Sequence, residues 1–164
     1  MISNNDLISF LKESNSIEGE DWNNLPMEAA HFALSLVDKD ITVSDICQIH
    51  KLHEDGYIES HAGYLWSGGN EFGVLRKCGV HVGNYYAPSP LKLPDLMSAY
   101  CSEWPTMNAW TAHCGFEEIH PFFDLNGRVG RLLWLMKVIK DGEYFRRMSF
   151  LQQFYYQTLN NFRK

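Results

Sequence analysis

The sequence predicts a mainly α-helical domain that carries one small β-hairpin. Three observations lead there. Apolar residues recur at helical spacing over most of the chain. Gly63, Gly68, Gly69, Gly73, Gly79 and Gly83 crowd into about twenty residues around short apolar pieces. Pro88, Pro90 and Pro94 then close that stretch before the helical spacing resumes. A chain of 164 residues, 45% hydrophobic and 14% aromatic, has room for one domain and enough apolar mass to close a core without disulfides. Residues 1–164 are therefore read as a single domain.

In chain order, Asp6 to Lys12 fits a short helix through Leu7, Ile8, Phe10 and Leu11. Met27 to Val37, rich in alanine, predicts a second. Thr42 followed by Asp45 forms a capping-box pattern, and Val43, Ile46, Ile49 and Leu52 continue it at helical spacing until Gly56. Val74-Leu75-Arg76 and Val80-His81-Val82, separated by Lys77-Cys78-Gly79, fit a hairpin within residues 73–83. Helices are expected from Asp95 towards Trp104, from Met107 to Ile119, and from Asn126 to Lys140, with Gly142 as a stop. Ser149 caps a last one that carries Leu151, Phe154, Tyr155 and Phe162 along one side.

Charge and patterning exclude several classes. A net charge of −6, from 14 basic against 20 acidic residues, argues against general nucleic-acid binding. The longest apolar run, Leu132 to Met136, is far short of the roughly 20 residues a bilayer needs, so no membrane role is expected. The polar N-terminus has no basic residue before Lys12, which does not fit an export signal. Cys47, Cys78, Cys101 and Cys114 form no C-x-x-C pair, so reduced thiols and a cytoplasmic location are expected.

The informative stretch is His120-Pro121-Phe122-Phe123-Asp124-Leu125-Asn126-Gly127-Arg128-Val129-Gly130-Arg131. Pro121 disfavours helix at His120, so the preceding helix ends there. The loop that follows holds an imidazole, a carboxylate and a carboxamide, and it runs into a new helix whose first N–H groups are a ready seat for an anion. Gly127 allows close approach of backbone to a ligand. Arg128 and Arg131, three apart, suit a polyphosphate because each guanidinium can hold oxygens bidentately. Asp124 beside such a site would naturally hold Mg²⁺, and His120 could take a proton from an attacking hydroxyl. Taken singly, each of these residues fits a helix cap or a solvated charge. Together at one junction they describe transfer of a phosphate-linked group onto a hydroxyl.

This stretch resembles the Fic (filamentation induced by cAMP) motif, His-Pro-Phe-x-Asp/Glu-Gly-Asn-Gly-Arg-x-x-Arg, at every fixed position but one. His113-x-x-Phe116-Glu117-x-Ile119 before it, and Gly130, Leu132 and Leu133 after it, look like family neighbours, as does the glycine-rich flap with Arg76 and Val80. The resemblance covers most of residues 14–140 and is specific in 120–131. It implies a Fic-like helical bundle and a protein adenylyltransferase that moves AMP from ATP, with Mg²⁺, to a Ser, Thr or Tyr hydroxyl of a target protein or of itself. In that resemblance His120 is the base, Asp124 holds Mg²⁺, Asn126, Gly127 and Arg128 line the phosphate cradle, and Arg131 grips the γ-phosphate. Phe122 packs inward. The departure is Leu125, where the family usually has glycine and sometimes alanine: a leucine is strained there or shifts the cradle if the loop needs φ > 0, and is harmless otherwise.

Ser14-Asn15-Ser16-Ile17-Glu18-Gly19 looks like the family's inhibitory motif, Ser/Thr-x-x-x-Glu-Gly/Asn. The resemblance implies that Glu18, with Ser14 and Gly19 around it, pairs with Arg131 and takes the place of the γ-phosphate; an ordinary helix end with Gly19 as its cap is the plainer reading. Leu75, Val80 and Val82 of the flap either dock an extended target segment by strand addition or belong to a merely stabilising hairpin. Other outcomes stay open: transfer of another phosphate-containing group, removal of AMP, or a catalytically silent binding module caused by Leu125. Cys47-x-x-His50-x-x-His53 offers a metal only one useful helix face, so both histidines are read as polar surface or satisfied core groups. His113 is read as a structural hydrogen-bonder, and the aromatic tail as core or an oligomer contact.

Overall fold

The computed structural model describes residues 2–19, 25–54 and 71–142. Among them are six helices: α1 (Asn4–Ile17), α2 (Met27–Leu34), α3 (Val43–Lys51), α4 (Leu93–Glu103), α5 (Ala109–Ile119) and α6 (Asn126–Lys140). A two-stranded antiparallel sheet, β1 (His81–Val82) and β2 (Tyr85–Tyr86), completes them. The mainly α architecture with one hairpin is as the sequence predicts. The helix expected after Ser149 and the stop at Gly56 fall outside the described residues.

The core is organised around α6. Its sequence is apolar on nearly every side, which is the pattern of a helix enclosed by others. Val129, Leu132, Leu133, Leu135, Met136 and Val138 are all buried, and α1, α2, α3 and α5 touch this helix. Leu7, Phe10 and Leu11 of α1, the three buried alanines of α2, and Ile46 and Ile49 of α3 close the same cluster. Among the described residues no helix is long and apolar enough to cross a membrane.

Caps explain the helix boundaries. Ser3 caps α1 by accepting the Asp6 N–H, so the helix starts earlier than its apolar residues alone indicate. It also runs beyond Lys12, where Ser14 is buried against Arg131 of α6 and Asn15 is buried too. Gly19, at φ 75°, ends it as the glycine after a C-cap does. Thr42 and Asp45 form the full capping box on α3. Asn108 caps α5 through the Thr111 N–H, which moves that start from Met107 to Ala109.

The hairpin differs from its expected place. Its strands are 81–82 and 85–86, paired His81 to Tyr86 and Val82 to Tyr85, rather than 74–76 against 80–82. The two-residue turn Gly83-Asn84 sets this register, with Gly83 supplying φ 59°. Residues 74–76 are drawn elsewhere: the Arg76 N–H donates to the Pro121 carbonyl, and Leu75 packs on the main core. Val80 and Val82 therefore belong to the hairpin and Leu75 does not.

Candidate functional site

α5 ends at Ile119, and His120 turns the chain in left-handed backbone (φ 49°, ψ 60°). Pro121 enforces that break, and the loop runs to Leu125, where α6 begins. Asn126 ties the loop shut: its Oδ1 accepts the Phe122 N–H and its Nδ2 donates to the Phe122 carbonyl, both at 2.9 Å. The Asn126 side chain is thus turned inward, so only its backbone is left to line a cradle. Phe122 is fully buried, as its inward packing requires. Arg76 holds the loop from the other side. Its Nε donates to the His120 carbonyl at 2.8 Å, while its two terminal nitrogens donate to the Cys78 and Pro88 carbonyls. One guanidinium therefore fixes His120 and the base of the hairpin together.

Leu125 does need φ > 0: it sits at 62° and starts α6 without a side-chain cap. The backbone thus follows the path a glycine would take, and the leucine side chain is buried against Phe72. The strain, about 1–2 kcal/mol for an L-residue in this region, is offset by that burial.

The start of α6 faces α1. Arg131, fully buried, donates from Nε to Ser14 Oγ at 2.7 Å and from Nη2 to the Ser14 carbonyl at 2.9 Å. The same Nη2 meets Glu18 Oε1 at 2.6 Å. Glu18 also lies against Gly127, where an added Cβ would collide with its carboxylate and with Arg131 Nη1. A carboxylate thus sits beside the first turn of a helix, where the helix dipole favours negative charge. Arg128 is buried as well, close enough to His53 for its charge to disfavour protonation of that ring.

Of the two readings offered for His50 and His53, polar surface or core, the structure shows the core one. His50 and His53 are both buried, beneath the loop. The His50 ring stacks on Phe122 at 3.8 Å between centroids and 2° between planes, and its Nδ1 accepts the Gly73 N–H at 2.8 Å. Burial, then the neighbouring His53, lowers the His50 pKa to about 3, with the Asp124 backbone a weaker pull the other way. Burial lowers His53 to about 4, with the Ile49 carbonyl opposing and Arg128 and Arg131 assisting. Both are neutral near pH 7. The signal that could have found them is their spacing: His50 stands on the buried face of α3 with Ile46 and Ile49, and His53 follows three residues later in the turn that ends the helix.

Asp124 stands exposed at the rim, its Oδ1 accepting the Leu125 N–H at 2.6 Å. One exposed carboxylate next to an anion seat fits Mg²⁺, which takes one or two protein oxygens and fills the rest with phosphates and water. Among the described residues no group of three His, Cys, Asp or Glu is arranged as a metal cage.

A helical domain built around one enclosed helix, with a polar loop at that helix's N-terminus, is the class the geometry defines. Residues 40–136 match the family model described as Fic/DOC. The chain belongs to the Fic/DOC family. It is 31% identical over 143 residues to the protein adenylyltransferase Fic of Drosophila yakuba, and to that of Drosophila melanogaster, covering 80% of this chain and 26% of each relative. The chain thus spans about a quarter of the length of these curated relatives. Its fold is similar to a Fic family protein from Desulfovibrio desulfuricans (TM-score 0.60, 21% identity, 94% of this chain and 56% of that one). It is also similar to a Fic domain containing signaling protein from Bacteroides thetaiotaomicron (TM-score 0.64, 18% identity, 95% and 72%).

Proposed function

We propose that this domain transfers AMP from ATP to a hydroxyl of a target protein, and that Glu18 restrains it. The observation that carries the reading is the placement of His120 one short loop before an uncapped helix N-terminus flanked by Gly127, Arg128 and Arg131. The adenylyltransferase name of the Drosophila relatives supports the same class.

His120 would accept the proton of the incoming hydroxyl, whose oxygen bonds to the α-phosphorus of ATP as the bond to pyrophosphate breaks. The N–H groups at the start of α6, with Arg128, would hold phosphate oxygens through the reaction. Asp124 would hold Mg²⁺, which supplies charge neutralisation for the phosphates. Arg76 and Asn126 keep the loop and His120 in place. The edge of the hairpin at Val80 and Val82 would take an extended target segment as an added strand.

Arg131 is the residue that would receive the terminal phosphate, and Glu18 stands on it. A carboxylate at that guanidinium occupies the position of a phosphate oxygen, so ATP must displace Glu18 to bind fully. The backbone of Leu125 keeps the path open to glycine, which favours an active cradle over a silent binding module.

The test uses the Glu18→Gly protein with Mg²⁺ and ATP labelled at either the α- or the γ-phosphate. Label from the α-position should appear on protein and vanish with His120→Ala. Label from the γ-position, or none from either, would overturn the reading.

A further inference from the structure

Behind His120 lies a carboxylate outside the motif that names the site. Glu117 is on the last turn of α5, only 4% exposed, with its Oε2 3.8 Å from His120 Nδ1. His113, 1% exposed, is one turn earlier. Positions 113 and 117, four apart in α5, share one side of the helix, and the left-handed turn at His120 brings its ring back to that side, beside Glu117.

The opposite wall is α6 at Gly130. A Cβ built there would stand 2.7 Å from Glu117 Oε1 and 3.0 Å from His113 Nδ1. The missing side chain is what gives the carboxylate its room. A carboxylate buried this far is costly unless donors face it. Tyr100 is near enough for Glu117 to oppose its ionisation, yet its hydroxyl donates to the Ala112 carbonyl at 2.8 Å. The His120 imidazole faces Glu117 Oε2, and Glu117 Oε1 and His113 Nδ1 both border the space at Gly130.

We infer that Glu117 is a positioning residue for His120: its carboxylate holds the proton on Nδ1, so that Nε2 presents its lone pair to the incoming hydroxyl. When Nε2 takes the hydroxyl proton, the ring becomes an imidazolium, and the adjacent carboxylate offsets the new charge. Arg76 fixes the His120 backbone through its carbonyl, and Glu117 faces the ring at Nδ1. A 3.8 Å separation before substrate binds is compatible with this, since catalytic hydrogen bonds tighten in the reacting complex. The inference rests on the transferase reading of the same site.

Two measurements test it. In the Glu18→Gly background, Glu117→Gln should lower kcat by about 10²-fold, the lower end of what a general base supplies, while ATP affinity by calorimetry stays unchanged. Glu118→Gln, altering the exposed neighbour, should leave kcat as it was. Long-range ¹H–¹⁵N spectra of the imidazoles should show neutral His120 with its proton on Nδ1, shifting towards Nε2 in Glu117→Gln, because the amide can itself donate. An unchanged kcat, an equal loss of ATP affinity, or an Nε2-protonated His120 with Glu117 intact would overturn the role. Should Glu117→Gln unfold, Gly130→Ala, which crowds the carboxylate, is read in the same way. If the Glu18→Gly protein transfers nothing, the transferase reading falls, and the tautomer measurement alone decides on Glu117.

Discussion

Position 125 makes an unusual demand, because a residue at φ 62° prefers glycine while the side chain present there is buried. Two substitutions separate these effects. Leu125→Ala keeps the left-handed strain and removes most of the contact with Phe72. Loss of a buried leucine costs about 2–5 kcal/mol, and the lower end applies because this is a small satellite cluster beside the main core; about 2 kcal/mol is expected. Leu125→Gly loses the same contact but regains the strain, about 1–2 kcal/mol, less some added freedom of the unfolded chain. Its net cost is about 1 kcal/mol. Glycine should thus be the milder substitution, the reverse of the usual ranking of alanine over glycine. Urea unfolding followed by far-UV circular dichroism reads this directly, as midpoints compared at equal slope. An alanine variant as stable as the glycine variant, or more so, would show that residue 125 is not held at positive φ in solution.

Three further predictions concern the groups that hold the loop. Because His50 and His53 titrate near 3 and 4 when folded but near 6.5 when unfolded, the unfolded chain binds more protons below about pH 6.5. Their contribution is nearly complete at pH 7 and is lost as pH falls, by about 2 kcal/mol for each histidine between pH 7 and 5. His50→Phe, which keeps a ring on Phe122, should remove its share of this acid sensitivity; an equal loss in both proteins, from urea midpoints at pH 7 and 5, would contradict the assignment. Arg76→Ala should destabilise by about 2–4 kcal/mol, since charge-assisted bonds contribute about 1.5–3 kcal/mol each and do not add fully. Arg76→Lys should not restore the loss, because a single ammonium cannot reach the three carbonyls that the guanidinium spans. Val80→Pro should reduce labelling of a protein target more than ATP binding, and equal losses would remove the docking role of the hairpin.

Much of the fold is legible in the sequence because it follows from local chemistry. The capping box at Thr42, the stop at Gly142 and the break at Pro121 act within a few residues, and each appears where its residues stand. The hairpin forms later in the chain than local alternation indicates, because alternation ignores a long-range competitor. Arg76 is attracted by carbonyls 44 and 12 residues away, and no local pattern reveals that. The same limit hid His50, whose ring has meaning only beside Phe122, brought there by the packing of α3 under the loop. The motif residues were readable as a set because so many chemical groups fall in one loop. What that loop could not reveal is direction: Asn126 spends its side chain on Phe122, and Arg131 points at α1.

The pairing of Glu18 with Arg131 joins the first helix to the candidate nucleotide site, and intact-mass spectrometry after incubation with Mg-ATP tests its meaning most directly. The Glu18→Gly protein should gain the mass of AMP, in one or more additions. The unaltered chain should gain little, and the Glu18→Gly, His120→Ala double variant none. Equal modification with and without Glu18, or modification that survives loss of His120, would contradict the account.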